Sequence, residues 1–106
     1  MFKVIYKEEV ISDLSILPSD VFLEVMSYFE KYKTNPYLYS KPLYNRGNIK
    51  LQGLRKTYVA NATYRIVIHI VIHIEQEVAK VVSVIAVGKR ENKNKDVYKI
   101  ANLRNK

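Results

Sequence analysis

The 106-residue chain contains no cysteine, which removes both a disulfide framework and a thiolate zinc site. It also lacks a long apolar run. Arg65, His69 and His73 interrupt its most hydrophobic stretch, so a transmembrane helix is excluded. The opening Met1-Phe2-Lys3-Val4 does not show the charged, then apolar, then small-residue order of a signal peptide. The expectation is a cytoplasmic protein with no membrane partner. There is no internal repeat and no low-complexity tail. Acidic side chains are scarce, 10 against 18 lysines and arginines, for a formal charge of +8. The remaining composition, 48% hydrophobic and 26% charged, is that of a globular domain. A chain of this length can bury about two thirds of its surface around one core, so residues 1–106 are read as a single domain.

The charge is unevenly placed. Residues 1–35 carry four basic and six acidic side chains, whereas residues 36–106 carry fourteen basic and four acidic, a net of +10. A positive field confined to the C-terminal two thirds suits a polyanionic partner gripped by one region, with nucleic acid the leading class. The plainer account is a basic protein whose lysines are solvated.

Periodicity gives the element order. Met1 to Lys7 alternates, with Phe2, Val4 and Tyr6 on one face, and reads as a strand. Glu8 to Leu14 reads as a short helix with Val10, Ile11 and Leu14 on one side; its two glutamates suit a positive helix N-terminus. Pro18 fits the first turn of a second helix. There Val21, Phe22, Val25, Phe29 and Tyr32 form an apolar stripe that Asn35-Pro36 ends. Residues 36–53 read as a loop-rich connection, with Tyr37, Tyr39 and Tyr44 packing over the core edge rather than stacking on bases. From Lys56 the period becomes two. Lys56 to Ala60 is a short strand, Thr63 to Glu75 a long one, Glu75-Gln76-Glu77 a turn and Val78 to Val87 a third strand. Gly88 permits a bend, Lys89 to Lys95 is a charged loop, and Asp96 to Leu103 is a short closing element. The predicted architecture is α+β: an N-terminal strand, two helices and a three- to four-stranded antiparallel meander. The face carrying Ile66, Ile68, Ile70, Ile72 and Ile74 should lie beneath the helices, leaving the Arg65 face free.

Strand parity then groups the polar residues. With Asn61-Ala62 as a two-residue turn, residues whose numbers sum to 123 face one another, so Tyr58 faces Arg65 and Lys56 faces Val67. Facing residues share a sheet side. Lys56, Tyr58, Arg65 and His69 therefore project together, opposite the isoleucines. A three-residue turn would flip the parity and place Lys56 in the core.

Tyr64-Arg65-Ile66-Val67-Ile68, the run from Val84 through Gly88-Lys89-Arg90-Glu91-Asn92, and Val97-Tyr98 resemble the RelE branch of the RelE/ParE toxins of bacterial toxin–antitoxin systems. Lys50-Leu51-Gln52-Gly53 is similar to that family's Lys-Leu-x-Gly step. The likeness covers nearly the whole chain, with two or so extra residues between Glu91 and Val97. It implies a RelE-like fold and a metal-independent, cofactor-free endoribonuclease that cuts mRNA in the ribosomal A site. The ribose 2′-OH attacks the adjacent phosphate and leaves a 2′,3′-cyclic phosphate. It implies Arg65 and Arg90 as phosphate-binding arginines, Tyr98 near the reacting nucleotide and Lys56 as the basic residue preceding Tyr64-Arg65. Tyr58 stands where the family often has a second lysine, which leaves the general base open between Lys56 and Tyr58. Lys50, Arg55, Lys89, Lys93 and Lys95 are the basic residues assigned to RNA or ribosome contact. The expected partners are the ribosome with its mRNA and an acidic antitoxin carrying an amphipathic helix. The competing readings are a non-enzymatic gyrase inhibitor on the same fold and a basic RNA-binding domain without activity.

The chemistry independently calls for such residues. Internal RNA cleavage needs the 2′-OH deprotonated, the pentacoordinate phosphate's charge offset and the leaving 5′-oxygen protonated. Two guanidinium groups can supply the charge. His69 and His73, four residues apart on a strand, lie roughly 13 Å apart and cannot share one metal ion.

Overall fold

The computed structural model describes residues 1–74, 78–91 and 96–105. Eight elements follow in order: β1 (Lys3–Tyr6), α1 (Glu8–Ser15), α2 (Ser19–Thr34), β2 (Lys41–Pro42), β3 (Arg55–Val59), β4 (Tyr64–Ile74), β5 (Val78–Lys89) and α3 (Val97–Arg104). The strands form one five-stranded sheet in the order β1-β5-β4-β3-β2. β1 pairs parallel with β5, and every other pairing is antiparallel. The predicted turn at Glu75–Glu77 lies outside the described residues.

Both N-terminal helices form for the expected reasons. Glu8 and Glu9 occupy the first turn of α1, which buries Val10 and Leu14. α2 buries Val21, Val25, Phe29 and Tyr32, whereas Phe22 is turned outward and 37% exposed. Pro18 caps α2 instead of entering it. Its ψ of 150° is extended, and its carbonyl accepts the Phe22 N–H at 2.9 Å. The helix closes where Asn35 donates to the Lys31 carbonyl at 3.1 Å and Pro36 bars continuation.

The isoleucine face meets these helices. Ile66 and Ile68 are buried with Val82, Val84 and the apolar residues of α1 and α2. The alternation outruns its cover, however: Ile72 is 43% and Ile74 77% exposed.

The opposite face is not free, as the sequence had suggested. A second core lies there, in which Leu43, Leu51 and Leu54 of the connection and Val97, Tyr98 and Ala101 of α3 bury Val67 and Ala86. The helices thus occupy both sides of the sheet. The closing element is a third helix, and the connection contributes a two-residue edge strand. Gly88 makes no bend: it continues β5 and pairs with Arg65, while Val97 packs against it. Among the three tyrosines of the connection only Tyr39 packs on the core; Tyr37 and Tyr44 are exposed.

A β-bulge ties the two layers together. Val67 pairs with Ala86 but Ile68 with Val84, so Ile85 is the extra residue. β1 stops pairing at Val84, which leaves the edge of β5 beyond it open. Asp13 of α1 fills that edge by accepting the Val87 N–H at 3.0 Å. Arg104 of α3 donates to both Asp13 oxygens, at 2.6 and 3.0 Å, and to the Ile85 carbonyl at 3.1 Å.

The β3–β4 register is the predicted one, with Tyr58 opposite Arg65 and Lys56 opposite Val67. The connecting turn places Asn61 at φ 54° and Ala62 at φ 69°, the left-handed pair of a type I′ turn, closed by Thr63 N–H to the Ala60 carbonyl at 3.1 Å. Asparagine tolerates this region and alanine does not. Ala62→Gly should therefore stabilise the protein by about 0.5–1 kcal/mol after allowing for the freer unfolded chain, read as a higher urea midpoint with an unchanged slope.

Candidate active site

The Tyr98 ring is the centre of the site. It lies on the first turn of α3, 1% exposed, against the sheet face that carries Arg65. Three guanidinium groups surround it, with Cζ to ring-centroid distances of 5.1 Å for Arg90, 5.4 Å for Arg46 and 5.7 Å for Arg65. The Tyr58 ring adjoins them, 4.9 Å from the Arg65 Cζ and 4.9 Å from the Lys56 Nζ. Residues from β3, β4, the end of β5, the connection and α3 therefore converge on one patch. Aromatic rings attract such cations and allow several to gather where mutual repulsion would otherwise spread them.

One carboxylate organises the patch. Asp96 is fully buried and caps α3, accepting the backbone N–H groups of Tyr98 at 3.1 Å and Lys99 at 3.3 Å. Its other oxygen accepts the Arg90 Nη1 and the Glu91 N–H, each at 2.7 Å. The same side chain thus starts the helix that carries Tyr98 and holds Arg90 over that ring. Among the described residues, no carboxylate forms an ion pair with Arg46, Lys56 or Arg65. The Arg65 Nε and the Tyr98 hydroxyl are buried without a hydrogen-bond partner. Buried polar atoms are seldom left so.

The two phenols are driven apart. The Lys56 ammonium, aided by Arg65 and opposed by slight burial, holds the Tyr58 phenol below its ordinary value. Burial pushes the Tyr98 phenol up, against the lowering effect of the surrounding arginines. Tyr58 is thus the readier proton acceptor, and Tyr98 keeps its proton. Burial opposes the charge of Asp96, but hydrogen bonding from Arg90 and from the backbone outweighs it and holds the carboxyl below its ordinary value.

The structure brings Lys56, Tyr58, Arg65, Arg90 and Tyr98 together. Tyr98 is enclosed, so its ring offers no open face for a base. Lys50 is exposed on the connection, whose backbone is tied to α3 by Lys50 N–H to Asn102 Oδ1 at 3.1 Å. Arg55 and Lys89 are not part of the patch. Arg55 pairs with Ile68 and Lys89 with Tyr64, and both therefore share the isoleucine face. The Arg55 guanidinium is occupied there, donating to Ser40 Oγ at 2.7 Å and the Ser40 carbonyl at 2.9 Å. Lys93 and Lys95 lie outside the described residues. His69 pairs with Ser83 farther along the sheet. Arg46 was not found by sequence reasoning. A small bridge to Ile49, with both hydrogen bonds at 2.9 Å and Gly47 at φ 56°, turns it back over Tyr98. The Arg46-Gly47-Asn48 turn residues were the only trace of this in the sequence.

No protein-family model matches the chain, and no curated protein matches it. Solved structures do. A chain of the toxin–antitoxin complex RelBE2 from Mycobacterium tuberculosis is 23% identical at a TM-score of 0.61, over 84% of this chain and 98% of that one. A doubly arginine-substituted form of the Escherichia coli toxin RelE in the free state is 23% identical at a TM-score of 0.65, over 97% of this chain and 96% of that one. The chain therefore has the RelE-like fold.

Asp96→Ala should cost about 3 kcal/mol or more, since it removes a helix cap and strips a buried ion pair of its acid. The sign with pH follows from the depressed carboxyl. Its contribution is present above the unfolded-state value near 3.8 and is lost as pH falls through the lower folded value. Urea midpoints of the wild type and Asp96→Asn should differ at pH 7 and converge as the pH drops below 3.8.

Proposed function

We propose that the protein is the toxin of a type II toxin–antitoxin system and a ribosome-dependent, metal-independent endoribonuclease acting on mRNA. The observation that carries this reading is the Tyr98 ring encircled by Arg46, Arg65 and Arg90, with Lys56 and Tyr58 alongside. A phosphodiester supplies acceptor oxygens for Arg46 and Arg65, which form no ion pair with a carboxylate among the described residues, and guanidinium forks match its geometry. The fold shared with RelE toxins, one of them in a toxin–antitoxin complex, supports the toxin assignment. The charge of +8 suits both an RNA substrate and an acidic antitoxin.

The reaction divides among the residues by their environments. The Tyr58 phenolate takes the proton of the ribose 2′-OH. The 2′-oxygen attacks the adjacent phosphorus, a P–O2′ bond forms, and Arg65 and Arg90 offset the charge gathering on the phosphoryl oxygens. The Lys56 ammonium gives its proton to the 5′-oxygen as the P–O5′ bond breaks. The products are a 2′,3′-cyclic phosphate and a 5′-hydroxyl. Proton transfer from Tyr58 to Lys56 restores both groups. Environments that separate the pKa values of two like groups mark their roles. Tyr98, held protonated and enclosed, positions the arginines.

Primer extension on mRNA in a translation reaction tests the function. Codon-positioned cuts are expected; loss of DNA supercoiling activity in their place would mean a gyrase inhibitor, and neither outcome would mean binding alone. Arg65→Ala should slow cleavage on the order of 100-fold or more. The wild-type rate should climb with pH up to the folded value of Tyr58. Tyr58→Phe should lose that climb along with about 100-fold or more in rate, and Lys56→Ala should move it to higher pH. A pH profile unaltered by Tyr58→Phe would remove Tyr58 as the base.

A further inference from the structure

Lys41 and Lys56 are directly opposed across the β2–β3 pair. Because Lys56 shares a sheet face with Tyr58 and Arg65, Lys41 lies on that face too. Like charges at directly opposed positions destabilise a sheet, and among the described residues neither lysine has an acidic partner. The fold keeps this conflict in place with some care. Arg55 donates to Ser40 Oγ and the Ser40 carbonyl, Ser40 Oγ donates to the Pro36 carbonyl at 2.6 Å, and Thr57 Oγ1 donates to the Tyr39 carbonyl at 2.7 Å. The segment leading into Lys41 is therefore fixed.

β2 pairs only through Lys41 and Pro42, so β3 from Thr57 onward has no β2 partner and the sheet edge is notched. The notch is a cavity of about 310 Å³. Lys41, Lys56 and Tyr58 form its rim on the site face, and Tyr28, Tyr39 and Leu38 line it on the helix side. The Tyr28 and Tyr39 rings meet edge to face at 6.5 Å, with the Lys31 ammonium 4.7 and 5.5 Å from their centroids. Lysines above aromatic and aliphatic walls make up the composition that holds single-stranded nucleic acid, cations for the phosphate and rings for the base.

We propose that this notch is a second nucleotide subsite. It takes the RNA residue next to the one cleaved, with that residue's phosphate between Lys41 and Lys56 and its base against the tyrosine and leucine wall. The inference rests on the RNA-cleavage reading above and extends it from a single phosphate to a track that runs from the Tyr98 patch over the β2 edge. An anion held between the two lysines would offset the repulsion between their charges.

The test uses the full chain and two uncleavable probes, a dinucleotide and a tetranucleotide of RNA with 2′-deoxyribose at the cut position, titrated at several salt concentrations. Lys41→Ala should weaken the tetranucleotide about 5- to 10-fold and lower its salt slope by about 0.7, the value for one single-strand phosphate contact, while leaving the dinucleotide unchanged. Lys41→Arg should bind as wild type, and Arg65→Ala should weaken both probes. Lys41→Ala should also raise the thermal midpoint of the free protein, as removal of one of two opposed like charges requires. Tetranucleotide binding unaffected by Lys41→Ala, with Arg65→Ala still weakening both probes, would overturn the subsite alone. Equal weakening of both probes by Lys41→Ala would place Lys41 at the cleaved phosphate and overturn it as well. Failure of wild type to bind either probe would overturn the subsite, and the RNA reading beneath it falls with it if ribosome-bound mRNA is also left uncut.

Discussion

A cationic patch of this density holds together because one buried carboxylate is placed inside it. Asp96 accepts four hydrogen bonds, two from the start of α3 and two from the end of β5 through Arg90 and Glu91. The cap fixes where α3 begins, and that fixes the Tyr98 ring. The ring in turn gives Arg46, Arg65 and Arg90 a common surface to lie on. A single acid cannot neutralise three arginines and a lysine, so the patch stays strongly positive. The surplus is electrostatic strain that a phosphate would relieve, and it belongs to the fold rather than to any one loop.

Much of this was written in the sequence because sheets obey a strict parity. The alternating isoleucines marked the side of β4 that meets α1 and α2 through Ile66 and Ile68, and the sum rule across the turn at Asn61-Ala62 gave the register of β3 against β4. Together these place Lys56, Tyr58 and Arg65 on one side. Arg55, expected at the RNA contact, falls outside the patch by the same parity. Next to Lys56 on a strand, it must point the other way, as it does. Lys89 was harder, because its side depends on the β4–β5 register, and the bulge at Ile85 shifts that register without any glycine or proline to announce it.

What the sequence hid was tertiary. The segment after Asp96 is too short for its helical period to stand out, and α3 forms because Val97 and Ala101 find Val67 and Ala86 to pack against. Local propensity carries little of that information. Arg46 was hidden for a related reason: only the bridge to Ile49 turns it toward Tyr98, and nothing in its immediate neighbours fixes that direction. The division of the two phenols was equally unreadable, since it depends on which of them is enclosed and which sits beside an ammonium.

The bulge at Ile85 has a wider effect. A sheet with a separate apolar layer on each side could in principle lose one layer and keep the other. Here the extra residue turns backbone groups of β5 toward the rim, where Asp13 from one layer and Arg104 from the other meet them and each other. Peeling α3 away would strip α1 of its charge partner, and loosening α1 would release the far end of α3. The two apolar layers are thereby linked by a polar contact as well as through the sheet they share.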